Sequence, residues 1–334
     1  MKPQIVIALV ATLATGCKNK PTAAEGAAPG GSGTTEAAST ETEALAAKQD
    51  AYVHCLNTFS NDVFHGRHTW LDEFDAKKGP QAKQASDTLY GPLELDDPKE
   101  CREGVAAAKM KGPKLPALEA AGDAYVAAIA ELQPLTVKLR DYFEQKNYKD
   151  DKLALAIESH PKLMAAWDRF AAANDALGKE VDKIEDQLNA AQLAELEKTE
   201  GKQLHWHHKR MLIEAKKVVG IAAAAASPFD VKNPAELQAA VAALDKASTE
   251  LLDYYDKHKA EIEKASISYS IDSELKRFVT DAKELMRRNR DKTAFSDGEK
   301  MTIRANNAES VEGHPARVIA AYNALIQSSN RLRF

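Results

Sequence analysis

Large apolar side chains in this chain recur at alternating steps of three and four, and that spacing restricts the fold more than any other feature. Tyr52, Leu56, Phe59, Val63, Gly66, Trp70 and Phe74 form one series, and Trp167, Phe170, Asn174, Leu177, Val181, Ile184 and Leu188 form a second. A third runs Leu237, Val241, Leu244, Ser248, Leu251, Tyr255, His258 and Ile262, with shorter runs over 204–222, 271–285 and 318–332. At 3.6 residues per turn these steps put each series on one side of a helix, ready for lengthwise packing. No stretch shows the two-residue alternation of a strand. Breaks are predicted at Gly79-Pro80, Gly91-Pro92, Gly112-Pro113, Ser227-Pro228 and the polar region 296–313. Pro134 and Pro161 interrupt helical patterns and predict kinks. The spacing predicts an all-α protein, an elongated up-and-down bundle of about eight helices.

The longest apolar run, residues 5–13, is too short for the roughly 20 residues of a membrane-crossing helix. Lys2 precedes it and small residues follow, the pattern of a secretory signal. It ends Leu13-Ala14-Thr15-Gly16-Cys17, which resembles the bacterial lipobox, with Ala14 where leucine is usual. The resemblance implies a signal peptide over 1–16 and lipid attachment at Cys17; the alternative is an ordinary signal peptide with an incidental cysteine. Lys18 is not the aspartate that retains such lipoproteins in the inner membrane, so the outer membrane is the expected address. Acyl chains contribute about 0.8 kcal/mol per buried methylene and hold a domain on a membrane without a spanning helix. Residues 17–45, rich in Ala, Gly, Ser, Thr, Pro and Glu, lack side chains for a core and are expected to form a flexible, disordered linker reaching about 30 Å. The helical domain is expected over 46–334.

The segment Asp141-Tyr142-Phe143-Glu144-Gln145-Lys146-Asn147-Tyr148-Lys149-Asp150-Asp151 resembles a signature of the YiiG-like bacterial lipoproteins, a family built around a domain of unknown function. Ala51-Tyr52-Val53-His54-Cys55-Leu56-Asn57 is similar to the family's opening motif, and Ala321-Tyr322-Asn323-Ala324-Leu325-Ile326 fits its ending. The resemblance covers roughly Tyr52 to the C-terminus and implies a helical, lipid-anchored envelope protein. It supplies no activity and no catalytic residues.

Besides Cys17 there are two cysteines, Cys55 and Cys101. In an oxidising compartment such a pair is expected to form a disulfide, and closing the loop between them contributes about 2–4 kcal/mol; the alternative is two isolated buried thiols. His65 and His68 lie three apart, and His205, His207 and His208 surround Trp206, so each cluster can present two imidazoles on one helix face. No His-Glu-x-x-His motif accompanies them, and no metal site or cofactor is assigned. Neither a Gly-x-Ser-x-Gly elbow nor a phosphate-cradling glycine loop is present. Asp150 and Asp151 are adjacent and point apart on a helix, which suits the start of the next helix better than paired acid–base work. Asn174, Ser248 and His258 interrupt apolar seams, where they either fix register or line a polar pocket. A faint echo between residues 139–144 and 251–256 is either an old duplication or a coincidence of periodic helices.

With 45 basic against 50 acidic residues, interspersed, the chain presents no broad cationic surface, and nucleic acid is excluded as an expected partner. The sequence therefore predicts no enzyme. It predicts a lipid-anchored binding or scaffold module of the cell envelope, facing the periplasm, whose partner is an envelope protein or small ligand. The second reading is a small-ligand or metal-binding protein that uses the histidine clusters.

Overall fold

The computed structural model describes residues 33–264 and 271–332, and it is helical nearly throughout, with no strand among the described residues. The described chain forms two compact units that divide between Leu188 and Asn189, where the sequence reading treats 46–334 as one domain. Each unit has its own apolar cluster. The leader 1–16, Cys17 and the first part of the linker lie outside the described residues.

Four helices build the first unit. Helix α1 spans Gly33–Glu73 and therefore begins inside the span read as linker. Alanine is the strongest helix former, so an alanine-rich segment that cannot make a core of its own can still extend a helix. By Leu45 and Ala46 the helix already packs against the core. Helix α2 spans Lys99–Met110, α3 spans Pro116–Glu144, and α4 spans Ala154–Thr199, with the division between units falling within α4. The first predicted seam is buried along its whole length, with Tyr52 and Trp70 fully enclosed. It meets Tyr125, Ile129, Leu132 and Leu139 of α3, and Trp167, Phe170, Leu177 and Val181 of α4. Burial of each such side chain contributes about 1.5–3 kcal/mol.

Ring contacts fix how these helices meet. Phe64 of α1 lies edge-on to Phe170 of α4 at 5.5 Å, and Phe170 lies 5.2 Å from Tyr125 of α3. At Gly122 of α3 a Cβ would sit 2.4 Å from Tyr52 Cε1, so the close approach of α3 to α1 requires glycine. Helix α2 docks on α1 through Cys101, Val105 and Ala108. Pro134 and Pro161 lie inside α3 and α4, which continue through them. Proline in a helix interior costs about 3 kcal/mol, and buried neighbours such as Leu132 and Leu163 offset that cost.

The second unit contains the end of α4 and five further helices: α5 (Leu204–Ala223), α6 (Pro234–Lys264), α7 (Asp272–Asp291), α8 (Asp297–Arg304) and α9 (Pro315–Ser329). Helix α5 packs on α6, α6 on α7, and α9 on both α5 and α7. Leu237, Leu244 and Leu251 of the third predicted seam are fully buried with Val218, Phe278 and Leu325.

The described residues hold nine α-helices where the periodic runs predict about eight. The unpredicted one is α8, inside the polar region read as a break. Its eight residues bury no side chain, so it carries no apolar seam. What starts it is a capping box, in which Ser296 Oγ accepts from Glu299 N and the Glu299 carboxylate accepts from Ser296 N at 2.7 Å.

Candidate functional site

Polar groups enclosed between the helices of the first unit bind one another. The indole N–H of Trp70 donates to His160 Nδ1 at 3.0 Å, and His160 Nε2 lies 3.1 Å from the carbonyl of Ala76. A tryptophan N–H can only donate and a carbonyl can only accept, so His160 carries its proton on Nε2. Ser60 Oγ donates to Asn174 Oδ1 at 2.7 Å and receives the Tyr125 hydroxyl at 3.0 Å, which joins α1, α3 and α4. Burial pushes the Tyr125 hydroxyl well above its ordinary range and keeps it protonated as a donor. Lys48, with a fully buried side chain, pairs with Glu119 and donates to the carbonyl of Pro113 at 2.8 Å.

The segment between α3 and α4 is a second polar and aromatic knot. Lys146 turns the chain at φ 59°, and Tyr148 then packs 5.3 Å from Phe143 and 6.5 Å from Tyr142. The Tyr142 hydroxyl donates to Asp151 Oδ1 at 2.5 Å, and the same carboxylate accepts from the amides of Ala154 and Leu155 as α4 begins. Burial, reinforced by the Asp151 carboxylate, raises the Tyr142 hydroxyl well above its usual range. Phe143 in turn lies against Gly91, whose φ of +74° is the left-handed conformation glycine adopts freely, and where a Cβ would come 2.6 Å from the ring.

In the second unit the histidines gather where α5 starts. The ring of Tyr254 on α6 lies between two imidazoles, 4.9 Å from His207 and 4.2 Å from His258. His258 Nδ1 donates to the Tyr254 carbonyl at 2.9 Å, and the Tyr254 hydroxyl donates to Gln203. Beside them, Trp206 carries Lys202 Nζ 5.0 Å and Arg210 Cζ 5.4 Å from its ring centre, and Arg210 pairs with Glu250. Burial lowers the His207 pKa; Glu250 opposes that shift and the Arg210 and Lys202 cations reinforce it. These groups join the start of α5 to α6, with Trp206 Nε1 buried and without a hydrogen-bond partner among the described residues.

Residues 43–331 match a protein-family profile described as "Protein of unknown function (DUF3829)". The chain belongs to the DUF3829 family. It is also 27% identical, over 292 residues, to the "Uncharacterized protein YiiG" of Escherichia coli (strain K12), covering 86% of this chain and 78% of the relative. No solved structure matches.

In this DUF3829 chain the signature segment 141–151 is thus the α3–α4 turn, and its Tyr142, Phe143, Tyr148 and Asp151 hold that turn together. Of the predicted site residues, Cys17 lies outside the described residues, and Cys55 and Cys101 have sulfur atoms 2.07 Å apart and Cα atoms 5.1 Å apart. His65 and His68 are exposed on α1, with His68 Nε2 3.5 Å from Asp72. His205 Nδ1 lies 3.4 Å from Glu200, while His208 is buried with Nε2 2.7 Å from Ser329 Oγ. Among the described residues no group of three or more His, Cys, Asp or Glu side chains is placed to hold a metal ion. Asn174 joins the Ser60 network, and Ser248 Oγ is buried with no hydrogen-bond partner among the described residues. The echoing segments differ in surroundings: Tyr142 and Phe143 are buried, whereas Tyr254 and Tyr255 are half-buried.

Sequence reasoning missed His160, His314 and the pair Arg317–Asp281, whose Nε–Oδ1 distance is 2.7 Å. A signal existed for His160. It precedes Leu163, Trp167 and Phe170 by the same steps of three and four, two turns before the seam that begins at Trp167. Asp281 likewise follows Phe278 by three on the face that buries Leu285.

Proposed function

We propose that this chain is a lipid-anchored protein of the cell envelope, attached through Cys17 to the outer membrane and facing the periplasm, whose helical units serve as a non-catalytic binding or scaffold module. One observation carries the non-catalytic reading. The histidines and carboxylates enclosed by the helices are engaged in joining one helix to another, as in Trp70–His160, Lys48–Glu119, Arg317–Asp281 and His208–Ser329. Groups bound this way fix register and orientation, and their hydrogen bonds are committed to neighbouring helices rather than to a substrate, although Asp281 Oδ2 is enclosed with no hydrogen-bond partner among the described residues. The signature segment is likewise spent on a turn. Support for the anchor comes from the leader ending in Gly16-Cys17. The pairing of Cys55 with Cys101 is the state expected in an oxidising compartment.

Mass spectrometry of the N-terminal peptide from cells tests the anchor. The expected result is a chain that starts at Cys17 and carries the added mass of its acyl groups. A chain retaining residues 1–16, or one beginning at an unmodified Cys17, overturns it. Crosslinking in the intact envelope tests the module: a reproducible adduct with one envelope component, lost when surface residues near the crosslink are changed, supports binding. Turnover of an envelope substrate by the purified protein would contradict the non-catalytic reading.

A further inference from the structure

Helix α9 is held at both ends by histidines, His314 at its start and His208 of α5 at its end. At its start His314 is the N-cap, and its Nδ1 accepts the amide of Ala316 at 3.1 Å. A ring nitrogen that accepts cannot also carry a proton, so this cap exists only with a neutral imidazole whose hydrogen is on Nε2. At the other end His208 Nε2 lies 2.7 Å from the hydroxyl of Ser329, the last residue of α9. Both histidines are about 4% exposed, where a cation is costly. Between them α9 lies against α5 and α7, with Val318 and Leu325 fully buried.

The charges around each ring oppose its protonation. His314 faces Arg288 of α7, which is itself paired with Glu299 of α8 at 2.6 Å, and Phe295 lies 5.9 Å away. One turn into α9, Arg317 is paired with Asp281 of α7 and donates to the carbonyl of Ser310 in the preceding turn. His208 faces His205 and Lys209 on α5, and just past its Ser329 contact Arg331 lies in the field of Glu274 of α7.

We propose that α9 is an acid-released element: the cap at its start requires a neutral His314 imidazole, His208 at its end is enclosed where a cation is costly, and proton uptake by the two undocks it from α5 and α7. The sign follows from linkage. Burial lowers the His208 pKa from 6.5 to about 3 and moves His314 the same way, with Arg288 adding to the effect. A docked α9 therefore excludes protons that a released one takes up, so docking is undiminished above pH 6.5 and weakens as pH falls through that value. Each such histidine contributes up to about a tenfold change in the docked-to-released ratio per pH unit below it.

Hydrogen–deuterium exchange of the full-length protein tests this at pH 7.5 and pH 5.0, with labelling times scaled for the intrinsic pH dependence of exchange. The amides of α9 are expected to lose at least about tenfold in protection relative to those of α3. The double variant His208→Gln/His314→Asn keeps a polar group at Ser329 and a good N-cap with no titrating ring, and is expected to hold α9 at both pH values. Protection of α9 that stays level with α3 in the wild type, or loosening in the double variant equal to that of the wild type, overturns the proposal. Should the double variant not fold at pH 7.5, the two single variants decide: each is expected to show a smaller acid loss than the wild type, and an undiminished loss in both overturns it.

Discussion

The hydrogen bond from Trp70 to His160 closes a contact between α1 and α4 that apolar packing alone would leave free to slide. Replacing Trp70 with Phe keeps an aromatic ring but leaves His160 Nδ1 enclosed without a donor. An enclosed, unsatisfied acceptor costs about 1–3 kcal/mol, and the space left by the smaller ring adds to it. Urea unfolding of Trp70→Phe is therefore expected to show a loss of at least about 2 kcal/mol, and an unchanged midpoint would show that the bond contributes nothing. Gly122 has the opposite difficulty, too little room. A methyl group there meets Tyr52 at 2.4 Å, and Tyr52 is walled in on its other sides. Overpacking of this kind costs about 1–3 kcal/mol, so Gly122→Ala is expected to lower the thermal midpoint, and wild-type stability would mean that α1 and α3 separate freely.

At the scale of the helix, what could be read from the sequence is what periodicity encodes. The seams of α1, α4 and α6 are buried where steps of three and four put them, apart from the half-buried Asn174, Tyr255 and His258, because a helix that buries one stripe must repeat its apolar residues at that period. Helix α8 buries nothing and so left no such trace; its Ser296–Glu299 box was the available signal, obscured by Gly298 and neighbouring charges. The histidine groupings were legible as sequence clusters, but their partners were not. His208 meets Ser329 and Tyr254 meets His207 across large separations that no local pattern specifies. Helix α2 is short and buries three residues, one of them Cys101. Its attachment to α1 is therefore expected to depend on the proposed Cys55–Cys101 bond, which would close a separation of 46 residues. Changing Cys101 to Ser is expected to cost about 2–4 kcal/mol and to loosen α2 first. Thiol labelling of unfolded, unreduced protein provides the check on the bond itself: two reactive thiols from Cys55 and Cys101 would show that it does not form.

The whole molecule combines two helical units with an N-terminal segment that is proposed to be a lipoprotein leader. The formal charge of −5, spread over both signs, suits a domain displayed beside a membrane surface without adhering to it electrostatically. No described helix is long and apolar enough to cross a membrane, so attachment in this account falls to the acyl chains on Cys17. Fractionation of cells that express the wild-type chain or Cys17→Ser is the direct measurement. The account predicts that the wild type stays with the membranes through high salt and leaves only with detergent, whereas Cys17→Ser appears in the soluble fraction. A Cys17→Ser protein that remains membrane-bound until detergent is added would contradict it.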